Sequence, residues 1–146
     1  MRPFAGLLLC VLVLGYPEAG VAQTPELLLF GDRDHSTFLG CLTCNKYDSK
    51  SVCNKYGDSG SKYSSTSIWN HYGEYGSRYS STSPWNPYAS EPPVIVDHEG
   101  GFYGYFTAAK YHPKRTTIKF FLAFLDNADD VNEDLEKARD IFCHDA

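Results

Sequence analysis

The feature that most constrains this chain is a segment that repeats itself every 16 residues. Ser51-Val52-Cys53-Asn54-Lys55-Tyr56-Gly57 returns as Ser67-Ile68-Trp69-Asn70-His71-Tyr72-Gly73 and again as Ser83-Pro84-Trp85-Asn86-Pro87-Tyr88. Between these stretches, Gly60-Ser61-Lys62-Tyr63-Ser64-Ser65-Thr66 matches Gly76-Ser77-Arg78-Tyr79-Ser80-Ser81-Thr82. Self-similarity at a fixed period is a strong signal, because chance does not keep a dozen positions in step. Glycine, serine and asparagine are too frequent between residues 54 and 82 for long helices or regular strands. Aromatic rings at fixed slots contribute enough burial to order such a tract, so it is predicted to form packed turns.

A second duplication brackets the first. Phe38-Leu39-Gly40-Cys41-Leu42-Thr43, followed by Lys46-Tyr47, aligns with Phe102-Tyr103-Gly104-Tyr105-Phe106-Thr107, followed by Lys110-Tyr111. The offset is 64 residues, a whole multiple of 16. Each copy follows an apolar run, Leu27 to Phe30 or Val94 to Val96, and a Gly/Asp-rich turn. Apolar strand, polar turn and aromatic return strand is the pattern of a β-hairpin. The Asn-x-Tyr element after the first hairpin, Asn45-Lys46-Tyr47, resembles the one in each repeat.

The predicted fold is therefore α+β: a small sheet from two related hairpins, an inserted turn-rich 16-residue repeat, and a C-terminal amphipathic helix. The segments are a first hairpin over 27–44, repeats over 45–90, a second hairpin over 93–111, and an apolar segment with an acidic helix over 116–146. Ile118 to Leu125 reads as a core strand or buried helical turn. Asp129 or Asp130 is placed to N-cap a helix whose Val131, Leu135, Ala138 and Phe142 share one face and cover the sheet.

Residues 1–22 read as a signal peptide. Arg2 is the basic start, Phe4 to Leu14 is uncharged and apolar, and Gly20-Val21-Ala22 offers a cleavage site before Gln23. The apolar run is well short of the roughly 20 residues that span a bilayer as a helix, so no transmembrane anchor is expected. A single domain over 23–146, periplasmic or secreted, is the result. The net charge of −5 and the lack of a basic stripe argue against nucleic acid as a partner.

Four cysteines follow the signal: Cys41, Cys44, Cys53 and Cys143. An even number in a small exported chain points to two disulfides, against a rival zinc site built on Cys41-x-x-Cys44. Three connectivities exist. Cys44 and Cys53 both precede Asn-Lys-Tyr and so present equivalent turns, which favours Cys44 with Cys53 and leaves Cys41 with Cys143.

Candidate chemistry lies in two places. Tyr63 and Tyr79 occupy one slot of adjacent repeats, each beside a cation, Lys62 or Arg78, and with Tyr75 they form a candidate ligand surface. Such rings can stack on sugar faces while Asn and Ser side chains hydrogen-bond. Trp69 and Trp85 share their slot with Cys53 and are assigned to the core. The hairpin turns hold Asp32, Asp34 and His35 in one case and Asp97 and His98 in the other. If the turns converged they would offer a metal site or an acid–base pair. The acidic run Asp126 to Asp134 lacks the glycine of a calcium loop and reads as a solvated helix face. No cofactor motif and no complete catalytic motif is present.

Asn70-x-Tyr72-Gly73-x-Tyr75-Gly76-Ser77-x-Tyr79-Ser80, then Ser83-x-Trp85-Asn86-x-Tyr88 and the Pro92-Pro93-Val94-Ile95-Val96-Asp97 strand, resembles an uncharacterised family of bacterial exported domains. The resemblance covers roughly residues 27–115. It implies an envelope or secreted location and carries no activity or site residue with it. The expected function is a non-enzymatic exported domain that binds a cell-envelope glycan or a protein through its repeat aromatics. The competing readings are a small periplasmic hydrolase or metal-binding enzyme using the turn Asp and His residues, and a structural accessory module without a ligand.

Overall fold

A computed structural model describes residues 12, 14–16 and 24–146; apart from those few positions, the segment 1–22, read above as a signal peptide, lies outside the described residues. Two hairpins pair as the duplication suggests. Strands β1 (Leu28–Gly31), β2 (Thr37–Cys41), β3 (Val94–Val96) and β4 (Phe102–Tyr105) form one antiparallel sheet in the order β2-β1-β3-β4. The hairpins meet through their first strands, with Leu29 opposite Ile95, and both residues are fully buried. Alternate residues point to opposite faces. Leu29, Leu39 and Ile95 face the main core, whereas Phe30, Phe38 and Val96 gather with Leu28, Cys41 and Cys44 on the other side.

The duplication runs further than the hairpins. Gly40 and Gly104 both adopt positive φ, 127° and 94°, a backbone that L side chains avoid. Just after each, one strand residue bridges to a segment downstream: Cys41 to Ser51, and Tyr105 to Arg115. The Cys41 and Tyr105 amides donate to the carbonyls of Lys50 (2.7 Å) and Lys114 (2.8 Å). Even the turn that follows is copied. The Lys50 amide donates to the Asp48 carboxylate at 2.9 Å, and the Lys114 amide donates to His112 Nδ1 at 3.2 Å.

Between the hairpins, from Asn45 to Ala89, the chain is an unbroken series of β-turns. Turns begin at Asn45, Asp48, Ser51, Asn54 and Gly57, then at Ser61, Ser64, Ser67, Asn70 and Gly73, and then at Ser77, Ser80, Ser83 and Asn86. Every Asn, Asp or Ser that opens a turn also accepts, through its side chain, the amide two residues on; Tyr47 to Asn45 Oδ1 (2.9 Å) and Trp69 to Ser67 Oγ (3.1 Å) are examples. This is why short polar side chains recur at every third position. The turns opening on Gly57 and Gly73 have no such side chain and extend to four residues, ending on the amides of Ser61 and Ser77. Four steps of three and one of four produce the period of 16.

Successive rungs, 45–60, 61–76 and 77–92, stack. Trp69 and Trp85 lie ring on ring, 5.5 Å apart with planes at 29°. Gly60 and Gly76 pass so close to the preceding turn that a Cβ would sit 2.1 Å and 2.0 Å from the carbonyl oxygens of Asn54 and Asn70. The stack is closed at both ends by the hairpins. Cys41 bridges to Ser51 at one end, and the Ala108 amide donates to Pro84 (2.8 Å) at the other. One column of the stack follows the first hairpin. Ser59 abuts Gly40, Tyr75 lies over Gly31, and Glu91 pairs with Arg33 at 2.8 Å.

Of the two alternatives for Ile118 to Leu125, the helical one is found, as α1 (Lys119–Leu125), whereas the single helix expected after it is split into α2 (Ala128–Glu133) and α3 (Leu135–Phe142). The break falls at Asp134, whose extended backbone ends α2 and whose carboxylate accepts the Lys137 amide as the N-cap of α3 (3.0 Å). Asn127, not Asp129 or Asp130, precedes α2. Val131, Leu135, Ala138 and Phe142 are all buried. What they cover is the end of the tryptophan column rather than the sheet. Phe142 meets Trp69 at 5.7 Å and Phe121 at 6.0 Å, and Phe121 leads through Phe106 to Trp85.

The disulfides are Cys41–Cys44 and Cys53–Cys143, which replaces the expected pairing of Cys44 with Cys53 and Cys41 with Cys143. The chain turns as it leaves β2 and brings Cys41 within 5.5 Å of Cys44, Cα to Cα. Cys53 stands in the tryptophan slot and faces inward; since Trp69 meets Phe142, the residue one rung earlier meets Cys143. Both sulfur pairs are consumed, so the zinc alternative fails for these cysteines.

Candidate functional site

The turn geometry determines which tyrosines reach solvent. In each rung the residue two after the first turn opener points outward, and so does the residue two after the fourth. Three rungs thus give two columns, Tyr47, Tyr63 and Tyr79 in one and Tyr56, Tyr72 and Tyr88 in the other. All six are between 81% and 92% exposed. Asn45-Lys46-Tyr47 therefore belongs with Ser61-Lys62-Tyr63 and Ser77-Arg78-Tyr79, and not with the Asn-x-Tyr of each repeat. Full exposure of a large ring at six equivalent positions leaves these side chains little part in the core.

Cations hold several rings from one side. Lys46, Lys55, Lys62 and Arg78 lie 5.2–5.7 Å from the ring centres of the tyrosines that follow them, and His71 meets Tyr72 edge-on at 4.7 Å. Lys62 and Arg78 are themselves fixed by the helices, Lys62 to Glu136 at 2.7 Å and Arg78 to Asp129 at 3.6 Å. The Glu136 carboxyl is held below its ordinary range by the hydrogen bond and charge of Lys62, and Lys62 is raised in turn.

The tyrosine columns and the helices enclose two grooves that are copies of one another. One, of about 430 Å³, lies among Lys46, Tyr47, Asn54 and Tyr56 and is walled by Arg139 and His144. The other, of about 580 Å³, lies among Lys62, Tyr63, Asn70 and Tyr72 and is walled by Asp134 and Glu136. The lining positions on the coil differ by 16 residues throughout. Asn and Ser side chains contribute less to these grooves than the sequence suggests, because Asn54, Ser61, Asn70 and Ser77 spend their acceptors on their own turns. Tyrosine hydroxyls and the lysine amines remain to bind a ligand.

Tyr75 leaves the candidate set. It is only 5% exposed, and its hydroxyl donates to Asp32 at 2.5 Å across the interface between coil and sheet. Burial, and then the Asp32 carboxylate, push its phenol up to about 12. Trp69 and Trp85 are core residues, as expected.

The turn residues do not converge. Antiparallel pairing of β1 with β3 sends the two hairpin turns to opposite ends of the sheet. Each cluster is used locally. Asp32 accepts from Tyr75 and Thr37, Asp34 accepts from Ser36, and His35 lies edge-on to Tyr105 at 5.6 Å. Asp97 accepts from Tyr103 and from the amides of Gly101 and Glu99, which together hold its carboxyl low. His98 bonds Glu26 at 2.7 Å. Among the described residues, the group of metal-ligating side chains that does come together is Glu26 with Cys41 and Cys44, and both of its sulfurs are in a disulfide.

No helix among the described residues is long and apolar enough to cross a membrane. No protein-family model, no curated protein and no solved structure matches the chain.

Proposed function

We propose that the protein is an exported, non-enzymatic binding domain that holds a glycan of the cell envelope along its tyrosine columns. The observation that carries this reading is the pair of equivalent grooves one rung apart, each edged by two exposed tyrosines. A regularly repeated surface suits a regularly repeated ligand, and linked sites raise the effective concentration of each neighbouring contact. Sugar rings present apolar faces to the phenols, while tyrosine hydroxyls and lysine amines meet hydroxyl groups at the rim. Acids from α2 and α3 line the opposite wall of the groove at Tyr63 and Tyr72, which favours a neutral chain over a polyanion there.

The test is replacement of both Tyr47 and Tyr63 by alanine, one ring from each groove, with binding followed on a glycan array and by affinity electrophoresis in soluble polysaccharide. Loss of retention, with an unchanged unfolding curve, is the expected result. Each lost stacking contact is worth about 1–3 kcal/mol where aromatic stacking has been measured on nucleic-acid bases. Binding that survives the double change but disappears when His35 and His98 are replaced by alanine transfers the function to the turn residues. Retention of a protein, and of no polysaccharide, by the intact columns replaces the glycan with a protein partner.

A further inference from the structure

The two halves of the molecule are built alike, yet they differ at one ionic position. In the first half, Glu26 stands one residue before Leu27, whose carbonyl accepts the Leu42 amide. Its carboxylate lies 3.5 Å from Lys50 Nζ and 2.7 Å from His98 Nε2, beside the Cys41–Cys44 bridge. The histidine and the lysine hold that carboxyl below its ordinary range. His98 belongs to the turn of the other hairpin and reaches across to this half.

The counterpart in the second half can be assigned position by position. Pro93 accepts the Phe106 amide as Leu27 accepts that of Leu42, so Pro92 takes the place of Glu26 and brings no carboxylate. Lys114 takes the place of Lys50, and Tyr105 that of Cys41. His35, from the turn of the first hairpin, holds a different position in its turn from His98, and lies edge-on to Tyr105 at 5.6 Å beside this place. Among the described residues, Lys114 has no carboxylate partner, whereas Lys50 has one. Between Lys114, His35 and Tyr105 the surface opens into a groove of about 470 Å³ floored by Phe30, Val96 and Phe102. Phe102 is 53% exposed. An apolar bed with a few convergent polar groups is the usual form of a small-molecule site.

We propose that this groove binds a small carboxylic acid with an apolar or aromatic body. The ligand's carboxylate sits between Lys114 and His35, as Glu26 sits between Lys50 and His98, and its body covers Phe30 and Phe102. The first half of the chain supplies its own acid at this position, and the second half takes one from solution. The groove lies on the sheet face turned away from the coil, so it is separate from the tyrosine columns.

The test uses the mature chain and two ligands of nearly equal shape, phenylpropionate and its uncharged amide, with affinity read by calorimetry and by NMR shifts of the Phe102 amide. The acid is expected to bind at least about tenfold more tightly than the amide, as loss of a charge-assisted contact implies. Lys114→Gln should weaken the acid by a similar factor and leave the amide unchanged, while Lys50→Gln leaves both unchanged. Equal affinity for acid and amide overturns the proposal. So does an equal loss in the Lys50 and Lys114 variants, or the lack of any saturable binding of the acid.

Discussion

The indole N–H of Trp85 donates to the carbonyl of Ile68, 17 residues earlier, at 2.7 Å. Trp69 does the same to Val52 at 2.8 Å. Each tryptophan thus ties its own rung to the one before, and both are essentially without solvent contact. Trp85→Phe keeps most of the ring but strands a buried carbonyl, an expected loss of about 1–3 kcal/mol. Trp85→Ala adds a cavity, for about 3–5 kcal/mol. Urea unfolding of the two variants should place them in that order.

Gly76→Ala should destabilise the fold by about 1–3 kcal/mol, as overpacking does, because its new methyl group meets the Asn70 carbonyl oxygen at 2.0 Å. Ser65→Ala, at an exposed position of the same coil, is the control and should fall within about 0.5 kcal/mol of the parent. Equal unfolding midpoints for the two variants would contradict the close approach described for the stacked rungs.

The two disulfides should differ in value. Cys53–Cys143 joins residues 90 apart and fastens α3 to the coil, so its removal by paired serine substitution is expected to cost about 4–5 kcal/mol in the chain-entropy model. Cys41–Cys44 spans a separation of 3 and restrains the unfolded chain much less. Thermal unfolding of each serine pair, with mass spectrometry of the surviving bridge, measures the difference.

Acid and alkali should act on different groups. Glu26, Asp97 and Glu136 all have lowered carboxyl groups in the folded chain. The stability they contribute is present above the unfolded carboxylate range, about pH 4, and is lost as pH falls through their folded values. Tyr75 runs the other way. Its folded value of about 12 exceeds the ordinary 10.0, so stability is intact below 10 and declines as pH rises toward 12. Tyr75→Phe should flatten the alkaline limb of the unfolding midpoint against pH and leave the acid limb unchanged.

The exposed tyrosines should be nearly silent in stability. Tyr63→Ala and Tyr79→Ala are each expected within about 0.5 kcal/mol of the parent, since both rings are more than 80% exposed. A loss of several kcal/mol in either variant would show that the ring is structural and would remove it from the binding surface.

Much of this arrangement is legible in the sequence, and the failures share a cause. The paired hairpins follow from the offset of 64, and the buried tryptophans from their slot shared with Cys53. The subdivision of 16 into five turns was also readable, since Asn45, Asp48, Ser51 and Asn54 stand three apart. That same slot logic leads Cys53 to Cys143 once Phe142 is known to meet Trp69. What the repeat hides is the part that varies between rungs. Tyr75 has Ser59 and Glu91 as its slot-mates, and a position that changes from rung to rung signals a neighbour that also changes, here the first hairpin. The hairpin turns would offer a joint site only if they converged, but matching strands that pair antiparallel set matching turns at opposite ends. Local sequence similarity carries no sign of that direction.

The stack under the sheet also acts as a gauge. Ser59 lies against β2 and Tyr75 against β1, while the third rung runs directly into β3. Neighbouring strands lie about 4.8 Å apart, and the stacked indoles of neighbouring rungs are 5.5 Å apart, so one rung occupies roughly the width of one strand. With a hairpin closing each end, the number of modules is locked to the number of strands. A fourth 16-residue module could not be inserted as freely as in an open-ended solenoid: it would push β3 away from β1 by one strand width and split Leu29 from Ile95. Relatives with longer coils should therefore carry a wider sheet, whereas loops grafted onto the exposed tyrosine edge can vary without disturbing this match.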